Sequence, residues 1–194
     1  DCAHGAAYIT APQTLTKLGA EIVPLFCEPN GLNINDGCGA VHPQKMAEAV
    51  ISHGADLGIS LDGDADRLII ADETGVIHDG DHVLGATATK MKQEGTLKGT
   101  VVGTLMTNLG LEHYLADQNI PFARANVGDR YIMQMLQGEG ADPALNGNLG
   151  GEGSGHILMP DIIASGDGLI AALQVITAKI NQDKPMSEVL NLYP

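Results

Sequence analysis

At 194 residues, with 44 % apolar and 18 % charged side chains, the chain can bury a real core and reads as a folded globular protein. Its net charge of −14, with only 10 Lys and Arg, argues against nucleic acid as a partner, because phosphate binding needs clustered cations. No apolar run approaches a membrane span, and three cysteines (Cys2, Cys27, Cys38) in no zinc spacing predict reduced thiols in the cytoplasm.

The chain opens without Met on Asp1-Cys2-Ala3-His4-Gly5-Ala6, which reads as a strand end plus its turn. We expect a piece of a longer protein. Residues 10–19 fit a helix that stops at Gly19, and Glu21 to Leu25 reads as a strand. Pro29 to Gly39 holds Asn30-Gly31, Asn33, Asn35 and Asp36-Gly37, so a long loop is predicted. A helix near Pro43–His53 precedes the apolar strand Leu57-Gly58-Ile59-Ser60-Leu61. Leu68 to Ala71 and Val76-Ile77 flank Glu73-Thr74-Gly75 as a hairpin, and Asp81 to Gln93 is helical.

A second cycle follows Gly95 and Gly99. It predicts a strand over 100–105, a helix over 109–118, a strand over 121–127 and a helix over 129–137. Leu145 to Ser154 is a glycine-rich turn region, Ile157-Leu158 a short strand and Asp167–Ile180 a long apolar helix. Strand-helix alternation implies an α/β fold with mixed sheets and helices on their faces. The pattern divides near residue 97, giving two consecutive α/β domains, 1–97 and 98–194. Ligands in such sheets sit at the C-terminal ends of strands, where the segments that begin at residues 62 and 150 both fall.

Asp62, Asp64 and Asp66 alternate along one short loop, with Arg67 directly after. Three converging carboxylates repel one another unless something cationic lies between them. Their hard oxygen donors suit Mg²⁺ or Ca²⁺. An EF-hand counts well at positions 1, 3, 5, 8 and 12 (Asp62, Asp64, Asp66, Ile69, Glu73), but position 6 is Arg67 where the sharp turn needs Gly. Its flanks also read as β rather than helical. A solvated acidic turn is the plain alternative, opposed by the apolar runs on both sides, which bury the base of the loop. Three monodentate carboxylates that leave a coordination position open fit Mg²⁺ engaged with a phosphate oxygen.

Gly150-Gly151-Glu152-Gly153-Ser154-Gly155-His156 lacks the Lys-Ser/Thr of a phosphate loop. It reads as a polyol clamp: Glu152 accepts from hydroxyls, Ser154 accepts or donates, and the glycines admit close approach. Val127-Gly128-Asp129-Arg130-Tyr131 sits at a strand-to-helix junction, where Asp129 either caps the helix or faces the cleft. Arg67 and Arg130, two of the three arginines, abut candidate sites, which fits handling of a sugar phosphate.

These motifs, with Ser165-Gly-Asp-Gly168, resemble in order and spacing the α-D-phosphohexomutase superfamily. Asp1 to Ala6, Cys27-Glu-Pro-Asn-Gly-Leu-Asn-Ile-Asn35 and Val102-Gly-Thr-Leu-Met-Thr-Asn108 look most like its bacterial phosphoglucosamine mutase branch. The resemblance implies the second and third of four domains. The first, with its phosphorylated Ser-His-Asn-Pro serine, and the fourth, with its phosphate-binding loop, would lie elsewhere in the same longer chain.

It further implies that Asp62, Asp64 and Asp66 hold Mg²⁺ and that Arg67 neutralises charge at the transferring phosphate. Glu152 and Ser154 would grip sugar hydroxyls of a phosphorylated hexosamine, with His156, Asp129 and Arg130 lining the cleft. The implied reaction exchanges phosphate between C6 and C1 of glucosamine through a bisphosphorylated sugar, for amino-sugar nucleotide and cell-wall synthesis. A phosphomannomutase or phosphoglucomutase and a Ca²⁺-binding regulatory module are the competing readings, and a homodimer is a candidate assembly. Ala65 stands where the family often has Gly, so metal binding is expected to survive unless that position needs a positive φ.

Overall fold

The computed structural model describes residues 1–138 and 146–193. Seven helices and seven strands are present among them, in two sheets. The first half holds α1 (Thr10–Lys17), α2 (Gln44–His53), β1 (Leu57–Leu61), β2 (Leu68–Asp72), β3 (Ile77–His78) and α3 (Gly80–Gln93). The second holds β4 (Val101–Thr104), α4 (Leu109–Asp117), β5 (Phe122–Ala125), α5 (Asp129–Leu136), β6 (Gly150–Gly151), β7 (Ile157–Leu158), α6 (Gly168–Gln182) and α7 (Met186–Leu190).

Strands β1, β2 and β3 pair antiparallel in that order, with Leu57 opposite Asp72 and Leu61 opposite Leu68. The second sheet runs β5-β4-β6-β7, parallel except for the β6–β7 edge. Both are thus part of a mixed α/β architecture. Strand β2 is buried throughout, because α2 covers one face and α3 and α6 the other. Period-two alternation follows from this: Leu68 and Ile70 join the main core, whereas Ala71 packs with Met46, Ala47 and Val50 of α2. In the second sheet Val101 joins that same main core and Val102 packs with Ile132 and Leu136 of α5. One apolar core therefore runs between the sheets, with α3 and α6 inside it.

Three helices begin where short polar side chains satisfy free N–H groups. Asp79 accepts from the Asp81 and His82 amides, Asn108 from Gly110, and Asp167 from Ile170. Helix α2 ends at Gly54, left-handed at φ 61°, with Ala55 N–H donating back to the Val50 carbonyl.

One sequence expectation fails. Residues 21–25 form no strand. Among the described residues their backbone accepts only at Leu25, from Cys2 N–H and from the Cys27 thiol, while Pro24 has no N–H and the following Phe26, which accepts from His4 N–H, turns to φ 53°. Of the two readings of Asp129, the helix cap is not the one found: Gly128 stands at the N-cap of α5 and offers no capping side chain. Helix α7, which the sequence reading omitted, is five residues long behind Pro185 and buries Met186, Val189 and Leu190. Leu145, where the glycine-rich region was expected to start, lies outside the described residues.

Candidate metal centre and adjoining cleft

The aspartate loop is the turn between β1 and β2, so strands rather than EF-hand helices flank it. Carboxylate oxygens of Asp62, Asp64 and Asp66 lie within 4.8 Å of one another. Asp62 is buried, Asp66 half-buried and Asp64 exposed, so one side of the trio opens to solvent. The turn is closed by Ala65 N–H donating to the Asp62 carbonyl at 3.0 Å and Arg67 N–H donating to Asp62 Oδ1 at 3.1 Å. Arg67 Nε sits 3.7 Å from Asp62 and 3.8 Å from Asp66, offsetting part of the repulsion.

Ala65 adopts φ 63°, the left-handed region that an alanine enters at a cost of about 1 kcal/mol. Its neighbours enforce this: Gly168 N–H at the start of α6 donates to the Ala65 carbonyl at 2.9 Å. Ala3, His4, Phe26 and Asn35 are also left-handed. They are tied to the same place, since Asn35 N–H donates to Ala3 O and Ala6 N–H to Gly63 O. Strained backbone gathered at one loop is the pattern of a pre-organised site.

Three independent observations test the fit of a cation. The donors are all hard carboxylate oxygens, as a Mg²⁺-type ion requires. Asp66 Oδ1 is buried with no hydrogen-bond partner. Burial first, and then the Asp66 and Asp64 charges, push the Asp62 carboxyl above the usual range, although the Arg67 amide pulls the other way. A divalent ion between the three would satisfy all of this, so the residues fit the metal.

The glycine-rich segment is delivered to the same point. Leu68 N–H donates to Gly155 O at 3.0 Å, and Arg67 bridges to His156 as an isolated antiparallel pair. Gly155 has φ 96°, and a Cβ there would run into the Leu68 backbone, so only glycine allows this approach. His156, 7 % exposed, places Nδ1 3.1 Å from Asp66 Oδ2. Its Nε2 lies 3.9 Å from Asp129 Oδ2 and has no hydrogen-bond partner.

A cavity of about 340 Å³ opens beside His156, lined by Asp66, Asp129, Arg130, Met133, Ser165 and Gly166 among others. Glu152 is held next to it: Oε1 accepts the Gly128 N–H at 3.0 Å and Oε2 lies 3.4 Å from the exposed Ser154 hydroxyl. Arg130 rests over the Tyr131 ring at 5.3 Å, and its guanidinium makes no ion pair among the described residues. All nine residues singled out in the sequence therefore fall in one connected region. Arg124, the third arginine, is spent on Glu112 and on the Thr104 and Thr107 carbonyls.

Sequence reasoning missed the Gly128 amide that aims Glu152, and it left Ser165 and Gly166 without a place. The only signal for the latter was their recurrence in the Ser165-Gly-Asp-Gly168 motif. Gly166 is needed because a Cβ would press into the His156 ring.

Residues 1–75 match the phosphoglucomutase/phosphomannomutase alpha/beta/alpha domain II, and residues 79–194 match domain III. Phosphoglucosamine mutase of Rhodospirillum rubrum is 51 % identical over 194 residues, and that of Azoarcus sp. 52 % over 197 residues. Each comparison takes in 100 % of this chain and 42 % of the relative, so the chain spans under half the length of the curated relatives it matches. The phosphoglucomutase/phosphomannomutase family protein of Burkholderia thailandensis superposes with a TM-score of 0.85 at 21 % identity, over 100 % of this chain and 42 % of that one. Aspergillus fumigatus N-acetylphosphoglucosamine mutase, solved with GlcNAc-6P and magnesium, gives 0.70 at 22 %, over 100 % and 48 %. With both halves matched and the two site loops brought together, the chain belongs to the phosphoglucomutase/phosphomannomutase family, of which it carries domains II and III.

Proposed function

We propose that the protein bearing this chain is a phosphoglucosamine mutase that interconverts glucosamine 6-phosphate and glucosamine 1-phosphate. The observation that carries the reading is the junction itself: three clustered carboxylates lie one residue from the Arg67–His156 bridge, so the aspartate loop meets the glycine-rich turn where Asp66, Asp129, Arg130 and His156 line one cavity. Names borne by relatives at about half identity support the hexosamine over other sugars.

In this reading Asp62, Asp64 and Asp66 hold Mg²⁺, which when bound withdraws charge from a phosphoryl oxygen. Arg67, partly exposed beside them, offsets the charge that develops on the same group. A phosphoserine supplied by another part of the longer chain gives its phosphoryl group to the free hydroxyl of the sugar phosphate. The resulting bisphosphate turns over, and its other phosphoryl group returns to the serine, so phosphate is conserved through the cycle. Glu152 and Ser154 hold ring hydroxyls in both orientations, because neither contacts a phosphate end. Arg130 and His156 line the cleft on either side of Asp129, and Arg130 meets the distal phosphate.

Two consecutive domains supply the two loops, with α3 at the joint, since it packs on β2 as well as on α4 and α6. A cytoplasmic setting fits the three free cysteines, and among the described residues no helix is long and apolar enough to cross a membrane.

Turnover of glucosamine 6-phosphate, glucose 1-phosphate and mannose 1-phosphate by the full-length protein tests the reading. A kcat/KM at least tenfold higher for the glucosamine phosphate is expected. A preference for mannose or glucose phosphate would move the protein to another branch of the family, and no turnover of any of them would end the mutase reading.

A further inference from the structure

Beneath the Glu152–Gly155 turn lies a carboxyl group that the reaction above does not use. Asp81, in the first turn of α3, is 3 % exposed. Its Oδ2 accepts the Asn108 N–H at 2.8 Å, which pins the turn after β4 to α3. Its Oδ1 is buried and has no partner. Burying a carboxylate oxygen unpaired costs more than any neutral polar group, so a group kept this way needs a reason.

The surroundings supply one. Gly80 N–H donates to the Gly153 carbonyl at 3.0 Å, and a Cβ on Gly80 would collide with the Glu152 and Gly155 backbone, so the turn rests directly on the start of α3. A methyl group on Gly153 would stand 3.6–3.7 Å from the Asp81 carboxyl atoms, with no other atom as near. The Gly153 and Ser154 N–H groups of this turn find no hydrogen-bond acceptor among the described residues. A free buried acceptor thus lies beside a turn that carries two free donors, with no side chain between Gly153 and the carboxyl. Burial, the largest influence, and the Asp79 charge push the Asp81 carboxyl up, while the Asn108 amide and the His82 and Arg124 charges oppose them.

We propose that Asp81 is a positioning residue for the sugar-binding turn, whose free oxygen takes a backbone N–H of Gly153 or Ser154 when Glu152 and Ser154 engage the sugar. This rests on the sugar-binding role assigned to those two side chains. Asp81 touches no substrate. It sets the height and tilt of the turn, and so the hydroxyl grip used equally in both half-reactions. Loss of such an interaction raises KM and spares kcat, because substrate and transition state are affected alike.

The test uses the full-length protein with glucosamine 6-phosphate. In the unsubstituted protein, saturating substrate is expected to slow hydrogen exchange of the Gly153 or Ser154 amide at least tenfold. Asp81→Asn keeps an oxygen for Asn108 but replaces the second acceptor with a donor. It is expected to raise KM about tenfold, the weight of one charge-assisted hydrogen bond, with kcat within about twofold and Mg²⁺ affinity unchanged. Should Asp81→Asn fail to fold, the exchange measurement on the unsubstituted protein still decides. Amides that stay fast in a complex that turns over would overturn the latch and leave the mutase reading intact. An unchanged KM in folded Asp81→Asn would do the same. Absence of both substrate protection and turnover in the unsubstituted protein would overturn both readings together.

Discussion

At the scale of single residues, the aspartate loop is held together against two costs: mutual repulsion and the left-handed Ala65. Ala65→Gly removes a left-handed penalty of about 1 kcal/mol and incurs an unfolded-state entropy cost of about 0.5–1 kcal/mol, so a near-neutral to slightly raised melting temperature is expected. Ala65→Val in the same melting experiment should fall clearly below the parent, since a β-branched residue resists that conformation. Asp62 gives a second prediction. Burial and its acidic neighbours raise its folded pKa, so in the metal-free protein its ionised form costs stability, a cost that disappears as pH falls through that pKa. A cation needs the ionised form, so Mg²⁺ affinity should drop over the same fall and binding should release protons. Calorimetry in two buffers of different ionisation heat reads that release directly. The identities of all three metal-type residues were legible from their alternate spacing and from Arg67 at the position where an EF-hand needs glycine. What spacing could not give was the backbone state of Ala65, which is set by contacts from Gly168, a hundred residues away in the chain.

Among secondary-structure elements, the β2–β3 hairpin is tied together by one buried carboxylate, Asp72. Asp72 Oδ1 accepts from Thr74 N–H, Thr74 Oγ1 and Val76 N–H, and Oδ2 lies 2.8 Å from His78 Nε2. Burial alone would raise this carboxyl, but the bonds from Thr74, His78 and Val76 outweigh it and hold it below the ordinary value. Its stabilisation is therefore present above about pH 4 and is lost as pH falls through the depressed pKa. Asp72→Ala should cost about 3 kcal/mol near neutrality by urea titration and should flatten the acid limb of the stability profile. Most elements were readable because their apolar period matched their burial: β1 matched residue for residue, and α2, α3 and α4 to within one or two residues. The exceptions have physical causes. Residues 21–25 carry a strand-like composition, but Pro24 and the left-handed Phe26 prevent a regular ladder. Helix α7 is too short for a helical period to register, and its place is decided by packing of Met186 and Leu190 into the main core.

At the scale of the whole molecule, a chain of net charge −14 meets an anionic substrate by concentrating its few cations. Arg67 pairs with His156 in an antiparallel bridge and Arg130 lines the same cavity as His156, and a metal in the aspartate loop would add two further positive charges at the same spot. The convergence of residues 62–67, 128–130, 152–156 and 165–168 depends on backbone contacts between the two halves, through Leu68–Gly155 and Ala65–Gly168. Order and spacing of the motifs singled out the segments that come together, whereas the joining bonds follow from tertiary packing alone and had no local signature. In the proposed mechanism, phosphoryl transfer at this site depends on one ion between the three carboxylates. Anomalous diffraction from crystals of the full-length protein grown with Mn²⁺ in place of Mg²⁺ measures it most directly. One strong peak about 2.1–2.2 Å from an oxygen of each of Asp62, Asp64 and Asp66 is the predicted result. A saturated crystal with no peak at that loop, or with its only peak on other side chains, would contradict it.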